Sequence, residues 1–270
     1  MPSTFTPEDS PSAFRRIAAA MWNRPSDPSI YGYVDVDVST SQRQLGELAE
    51  RHGVRLTMTH LVSYAVARAF AAHPKLNAKI RGWGRIERRS SVDLVISVST
   101  DGGGDLSAAR VEGAENLSLN QLASAVAREV DRTRRGDDEH MTKSRNLMRT
   151  LPPWLVRPAL KLSDFVGNEL DWHLPQLGMP RDPFGTAVIT NVGMFGIDTA
   201  FAPFVPISRC PLLLLVTEVR DRPWAVDGKI ECRPVLRLCA TFDHRIVDGY
   251  QAGQLAQVIR RVVENPEAAA

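Results

Sequence analysis

A chain of 270 residues, 43% of them hydrophobic, is long enough to bury a full core as one large domain or two small ones. Its 33 basic and 31 acidic residues leave a net charge of +2, so no basic field argues for a nucleic-acid partner. Cys210, Cys232 and Cys239 lack metal-binding spacing and make a poor disulfide framework. With no charged leader and no run near the ~20 apolar residues of a membrane span, a cytoplasmic protein without metal or membrane span is expected.

In chain order, Tyr33–Val38 reads as a strand, and Ser41 with Gln44 as a capping box that opens a helix striped by Leu45, Leu48 and Ala49 and stopped at Gly53. The next helix, Met58 to Ala72, is apolar on most faces and should lie buried against a sheet. Asp93–Val98 follows as a core strand, and Gly102–Gly104 as a plain loop, since no Lys-Ser/Thr or helix opening follows it. Ser118 with Gln121 caps a helix whose Leu119, Leu122, Ala123, Val126 and Val130 form one face, with Arg128, Asp131 and Arg134 outward. Leu155, Ala159, Leu162 and Val166 have helical spacing, with prolines tolerable in the first turns. Trp154, Phe165 and Trp172 read as packing residues rather than ligand-stacking ones. Pro211–Val216 has the continuous apolar run of a central strand buried on both faces. Val235–Phe242 alternates like a half-buried strand, and Leu255, Val258, Ile259 and Val262 stripe a last helix.

Between that strand and helix lies Asp243-His-Arg-Ile-Val-Asp-Gly249, which holds an imidazole at an element boundary. Histidine exchanges a proton near neutral pH without a perturbed pKa, so His244 is a general-base candidate. A His near an Asp is equally the signature of a satisfied structural pair, and the motif alone does not separate the two.

Several ordered motifs resemble those of the dihydrolipoamide acyltransferase catalytic domain of 2-oxoacid dehydrogenase complexes. They are Arg15-Arg-Ile-Ala18 with Met21, Tyr33–Val38, Leu56–His60 leading to His73-Pro-Lys-Leu-Asn-Ala78, Asp93–Val98, Gly185-Thr-Ala-Val-Ile-Thr-Asn-Val-Gly193, Asp227-Gly228, and Asp243–Gly249. The resemblance implies an α+β, chloramphenicol acetyltransferase-like fold, a two-layer mixed β-sheet with packed helices, formed by residues 1–270 as one catalytic domain. It implies acyl transfer between a coenzyme A thioester and a thiol or other nucleophile. His244 would be the base, Thr190 the hydroxyl facing the oxyanion, and Asp248 the residue that holds the active-site turn, with tuning of the imidazole through an arginine such as Arg16 as a second role left open; Asn191 and Gly193 would shape the turn. It further implies a homotrimer, or a multiple of three, in which the His of one subunit faces the hydroxyl of its neighbour.

Two departures qualify the likeness. The family's Asp-Gly-Leu-Val-Val-Pro-Val run is replaced by Asp105–Arg110, and 136–183 has the look of an insertion, open to three roles beyond simple packing: lid, subunit contact or lipid-touching surface. Neither a lipoyl domain nor a subunit-binding domain is recognisable, and no lipoyl attachment is expected in this chain. A free-standing enzyme using acyl-CoA is therefore the first expectation, a complex core served by a separate lipoyl protein the second, and a non-catalytic trimeric scaffold the third. The joint presence of His244, Thr190 and Asp248 argues against the scaffold.

Overall fold

The computed structural model describes residues 28–82, 84–100, 105–134, 152–170, 172, 182–205 and 207–267. The Arg15–Ala18 motif with Met21, the Gly102–Gly104 loop and much of 136–183 lie outside the described residues. The elements are β1 (Ser29–Asp37), α1 (Ser39–His52), α2 (Met58–Ala72), β2 (Ala78–Arg81), β3 (Arg85–Arg88), β4 (Leu94–Thr100), β5 (Asp105–Val111), α3 (Leu119–Arg134), α4 (Pro153–Asp164), β6 (Ala187–Asn191), β7 (Leu212–Val226), β8 (Lys229–Asp243) and α5 (Gly249–Glu264).

Six strands form one mixed sheet in the order β1-β8-β7-β6-β4-β5, with β4, β6 and β7 parallel and the other pairs antiparallel; β2 and β3 make a separate hairpin. One face carries the main core. There Leu94, Ile96, Ile189, Leu212, Leu214, Leu236 and Leu238 meet Leu61, Val62 and Phe70 of α2, Leu122 of α3, and Leu255 and Ile259 of α5. Burying such side chains stabilises by roughly 1.5–3 kcal/mol each relative to leaving them exposed, which makes this face the principal source of the fold's stability. The expected burial of α2 against the sheet is present: Leu61 to Ala67, Ala69 and Phe70 are buried, and Thr57 Oγ1 accepts from His60 N at 3.3 Å to cap it.

The other face of the sheet is also covered. Leu213, Leu215 and Cys239 are buried there beneath Val192, Ala200, Ala202 and Phe204. This corrects the half-buried reading of Val235–Phe242, in which nearly every residue is buried. The alternation seen in the sequence is interrupted by the small residues Cys239, Ala240 and Thr241, which face either side of a strand held between β1 and β7. The β7–β8 hairpin also runs well beyond its apolar portion, closing at Asp227-Gly228 with Val226 paired to Lys229.

The two sequence-predicted capping boxes have opposite outcomes. Ser118 and Gln121 form theirs, with Ser118 N donating to Gln121 Oε1 at 2.9 Å and Gln121 N to Ser118 Oγ at 3.3 Å. The box at Ser41 is absent because α1 begins earlier, where the Asp37 carboxylate accepts from Ser39 N at 2.9 Å. Ser41 is buried inside the helix and donates to Val38 O. Gly53 ends α1 as expected.

Helix α4 differs from every other helix. Trp154, Leu162, Phe165 and Trp172 are exposed, so the expectation that the three aromatics pack is not met within the chain. The helix continues into one π-helical turn, Phe165–Glu169, closed by Leu170 N donating to Phe165 O at 3.1 Å. Its end is fastened by charge: Arg209 donates to Asp164 Oδ2 at 2.8 Å and to Glu169, while Arg81 donates to Glu169 O at 2.9 Å.

Candidate active site

Strand β8 delivers Asp243 to the edge of the core, where its buried carboxylate is held by Arg245, whose backbone N donates at 3.0 Å and whose guanidinium donates at 2.9 and 2.7 Å. The Asp243 carbonyl accepts from Ile246 N and Val247 N, both at 2.9 Å, which closes a tight turn. His244 N donates to Pro28 O at 2.8 Å and ties that turn to the start of β1. The backbone of His244 is thereby fixed while its side chain is exposed.

One contact orients the ring. His244 Nδ1 lies 3.2 Å from Val247 O. A carbonyl oxygen only accepts, so in the neutral ring Nδ1 carries the proton and Nε2 the lone pair, the tautomer a general base requires. Asp248 supports this indirectly. It is the N-cap of α5, its carboxylate accepting from Gln251 N at 2.9 Å while Gln251 Oε1 accepts from Asp248 N at 2.9 Å. The Asp248 carboxylate is thus committed to the helix end; it anchors the residue that follows the Val247 carbonyl.

Thr190 sits on β6, half-buried, paired with Ser97 of β4 and Leu215 of β7. The glycines that bracket its motif are there for space. A Cβ on Gly193 would collide with the Thr217 backbone, and one on Gly185, whose φ is +58°, would lie 2.5 Å from Asp93 O. Asn191 joins the end of β6 to the first turn of α2: its Nδ2 donates to Thr59 Oγ1 at 2.8 Å and its Oδ1 accepts from Met194 N at 3.3 Å. Buried Thr186 donates to Asn77 Oδ1 at 2.7 Å, and Asn77 Nδ2 donates to Ser91 O at 2.7 Å. The Pro-Lys-Leu-Asn-Ala motif and the glycine-bracketed motif are therefore two halves of one buried polar link. Thr59 had no signal in the sequence that marked it as a partner of this strand.

Strand register keeps His244 and Thr190 apart. Phe242, Leu212 and Ala187 lie in one row across β8, β7 and β6, and Cys239, Leu215 and Thr190 in another. Thr190 is three residues from the first row and His244 two residues from it in the opposite sense, a separation of about 16 Å along the strands and about 10 Å across them. Groups that share one tetrahedral intermediate must each lie within hydrogen-bond reach of it, so a single chain does not bring His244 and Thr190 to one reacting centre.

The sequence matches the model of the 2-oxoacid dehydrogenases acyltransferase (catalytic domain) family over residues 9–144 and 183–270. The chain belongs to this family. Among curated relatives it is 28% identical to the dihydrolipoyllysine-residue acetyltransferase component of the acetoin cleaving system of Bacillus subtilis, over 86% of this chain and 47% of that protein. It is 27% identical to the dihydrolipoyllysine-residue succinyltransferase component of the 2-oxoglutarate dehydrogenase complex of Escherichia coli, over 83% and 45%. The chain spans about half the length of the curated relatives it matches. A probable dihydrolipoamide acetyltransferase from Listeria monocytogenes superposes with a TM-score of 0.66 at 21% identity, covering 97% of this chain and 96% of that one. A chloramphenicol acetyltransferase superposes at 0.50 with 14% identity, covering 88% and 89%. The expected α+β, chloramphenicol acetyltransferase-like fold is the one observed. Residues 145–182, which include α4, lie outside the family match.

Proposed function

We propose that this family member transfers an acyl group between a coenzyme A thioester and a thiol acceptor at sites shared between copies of the chain, in a homotrimer or a multiple of three. The thiolate is the nucleophile, so the first step is loss of the S–H proton to His244 Nε2. Attack on the thioester carbonyl gives an oxyanion, to which the Thr190 hydroxyl of a neighbouring copy donates. Collapse breaks the C–S bond, and the imidazolium returns its proton to the departing sulfur. Asp248 is a positioning residue, acting through the turn that carries Val247. The observation that supports the shared site most strongly is the strand register, which sets Thr190 on β6 and His244 just past the end of β8, too far apart to meet.

Complementation tests this reading. Each of His244→Ala and Thr190→Val should lose roughly 10²-fold or more in turnover while folding and assembling normally. Mixed subunits should recover activity, because some interfaces then pair an intact His with an intact Thr. Failure to recover after demonstrated subunit exchange would place the site within one chain.

The names of the curated relatives favour a second reading in which the acceptor thiol is a lipoyl group on a separate protein, with this chain as the core of a 2-oxoacid dehydrogenase complex. Steady-state transfer with free acyl-CoA and a small thiol, set against the same assay with a lipoyl domain, decides between the two. We place the protein in the cytoplasm, a reading supported by the three free cysteines.

A further inference from the structure

We propose that Ser97 is a second hydroxyl donor to the oxyanion beside Thr190, an assignment that rests on the acyl-transfer reading above and adds a catalytic residue to the same site. Strands β4 and β6 run parallel, with Ser97 directly opposite Thr190. Ile96 and Ile189, one residue earlier on each strand, lie in the main core, so Ser97 and Thr190 share the opposite face of the sheet. On that face their row continues through Leu215 of β7 and Cys239 of β8 on one side, and to Ala108 of β5 on the other. Burial changes along the row. Cys239 and Leu215 are sealed beneath Val192, Ala200, Ala202 and Phe204, whereas Thr190, Ser97 and Ala108 are half-buried. The cover therefore thins at Thr190 and leaves the two hydroxyls at its rim, with only the small side chain of Ala108 beyond them.

Their hydrogen bonding sets them apart from other hydroxyls in or beside the same strands. Thr186 donates to Asn77 Oδ1 at 2.7 Å, Thr217 to Arg237 O at 2.6 Å and Thr241 to Ala202 O at 2.8 Å. Neither Ser97 nor Thr190 has a partner for its hydroxyl among the described residues. Half-buried hydroxyls without a protein partner are free to donate to a ligand. Neighbouring strands lie about 4.8 Å apart, a spacing at which two hydroxyls do not bond each other. At that spacing both stand about 2.8 Å from one oxygen placed between them, at an angle of about 120°, which suits two lone pairs of an oxyanion. When the thiolate attacks, the new C–S bond forms and the carbonyl π pair moves onto oxygen. Both hydroxyls then donate hydrogen bonds, and neither gives up its proton. Because the negative charge appears only as the intermediate forms, the contribution of Ser97 falls on turnover rather than on substrate binding.

The experiment is steady-state transfer by the full chain, with acetyl-CoA and succinyl-CoA as donors and dihydrolipoamide as acceptor, and with native mass recorded for every variant. Ser97→Ala should lower kcat roughly tenfold or more while KM stays within about twofold. Ser97→Thr and Ser97→Val have nearly the same shape and differ by one hydroxyl, so Ser97→Thr should turn over faster than Ser97→Val by a similar factor. That pair carries the test if Ser97→Ala misfolds. The inference is overturned if Ser97→Ala keeps wild-type kcat, if its loss lies in KM, or if the Thr and Val variants are equal. Thr190→Val, measured alongside, separates this inference from the reading beneath it. A loss in Thr190→Val with Ser97→Ala unaffected removes Ser97 alone. Wild-type activity of Thr190→Val, or no transfer by the wild-type protein with either donor, removes the oxyanion role of Thr190 and that of Ser97 with it.

Discussion

The sheet body and α4 are built on opposite physical terms. In the body, β6, β7 and β8 have one face in the main core with α2, α3 and α5 and the other beneath Val192, Ala200, Ala202 and Phe204, so apolar side chains are sealed from both directions. In α4 the apolar stripe faces out and, among the described residues, its C-terminal end is held by a charged clasp, Arg209 with Asp164 and Glu169, and by buried Asn168, whose Nδ2 donates to Ile207 O at 3.4 Å. Burial of apolar area is cooperative and tolerates no local loss, whereas a clasp opens by itself. The difference teaches that the family fold does not need α4 for its stability, in keeping with a family match that omits residues 145–182.

The largest expected effect separates the two regions at once. Leu214 is buried in the main core, and Leu214→Ala should cost about 2–5 kcal/mol by loss of transfer energy plus the cavity left behind. Trp154→Ala removes a larger side chain from an exposed site and should change stability by no more than about 0.5 kcal/mol. Urea unfolding of both variants measures the contrast. Equal losses would mean that α4 is packed into the same cooperative unit as the sheet.

A smaller effect should be confined to one region. Arg209→Ala leaves Asp164 and Glu169 without their shared cation, which at a partly buried site costs about 1–3 kcal/mol. If α4 opens independently, the loss should appear as faster amide exchange in α4 with exchange in β6 and β7 unchanged. Exchange that quickens equally in the sheet would instead make Arg209 a member of the core.

The same division governs what could be read from the sequence. Helices α2, α3 and α5 were legible because each buries a face or more against the sheet, and burial writes a 3.6-residue period into the chain. The outer halves of β7 and β8 were not, since Arg220, Asp221, Arg222, Pro223 and Glu231 to Pro234 are polar or proline except for Cys232, with Arg220 and Arg222 paired to Asp198, and leave no apolar alternation. Ser41 and Ser118 stand in the same Ser-x-x-Gln pattern, yet only the second forms a box, because the Asp37 carboxylate captures the start of α1 two residues earlier. At the candidate site, His244 was nominated from its place between a strand and a helix, and Thr190 and Asp248 from motif resemblance. Their geometry was not, because register across three strands is a property of pairing and no local pattern encodes it. The aromatic residues of α4 misled for the opposite reason: helical spacing reports that a stripe exists and is silent on which way it faces.

The finest test of the comparison is pH. The Glu169 carboxyl is held below its ordinary value of 4.5, chiefly by the hydrogen bond from Arg209, against partial desolvation, with further help from the Gly82 N–H and the charges of Arg209 and Arg81. A carboxyl depressed in the folded state contributes stability that is complete above its unfolded value, near 4.5, and is lost as pH falls through the lower folded value. The clasp should therefore be intact at neutral pH and weaken progressively below about pH 4.5. The body has a comparable pair, in which Arg237 donates to Asp35 at 2.7 and 2.8 Å and lowers its carboxyl, but β1 and β8 are joined by a full ladder of backbone bonds and sealed by apolar packing as well. Acid should then free α4 before it disturbs the sheet. Amide protection corrected for intrinsic exchange, measured from neutral pH downward, should fall first in α4 and persist in β7 and β8, and Glu169→Gln should lose that pH dependence while showing weaker α4 protection at pH 7. Loss of protection in α4 and the sheet at one common pH would show that a single cooperative unit holds both, and the contrast between sealed body and clasped helix would fail.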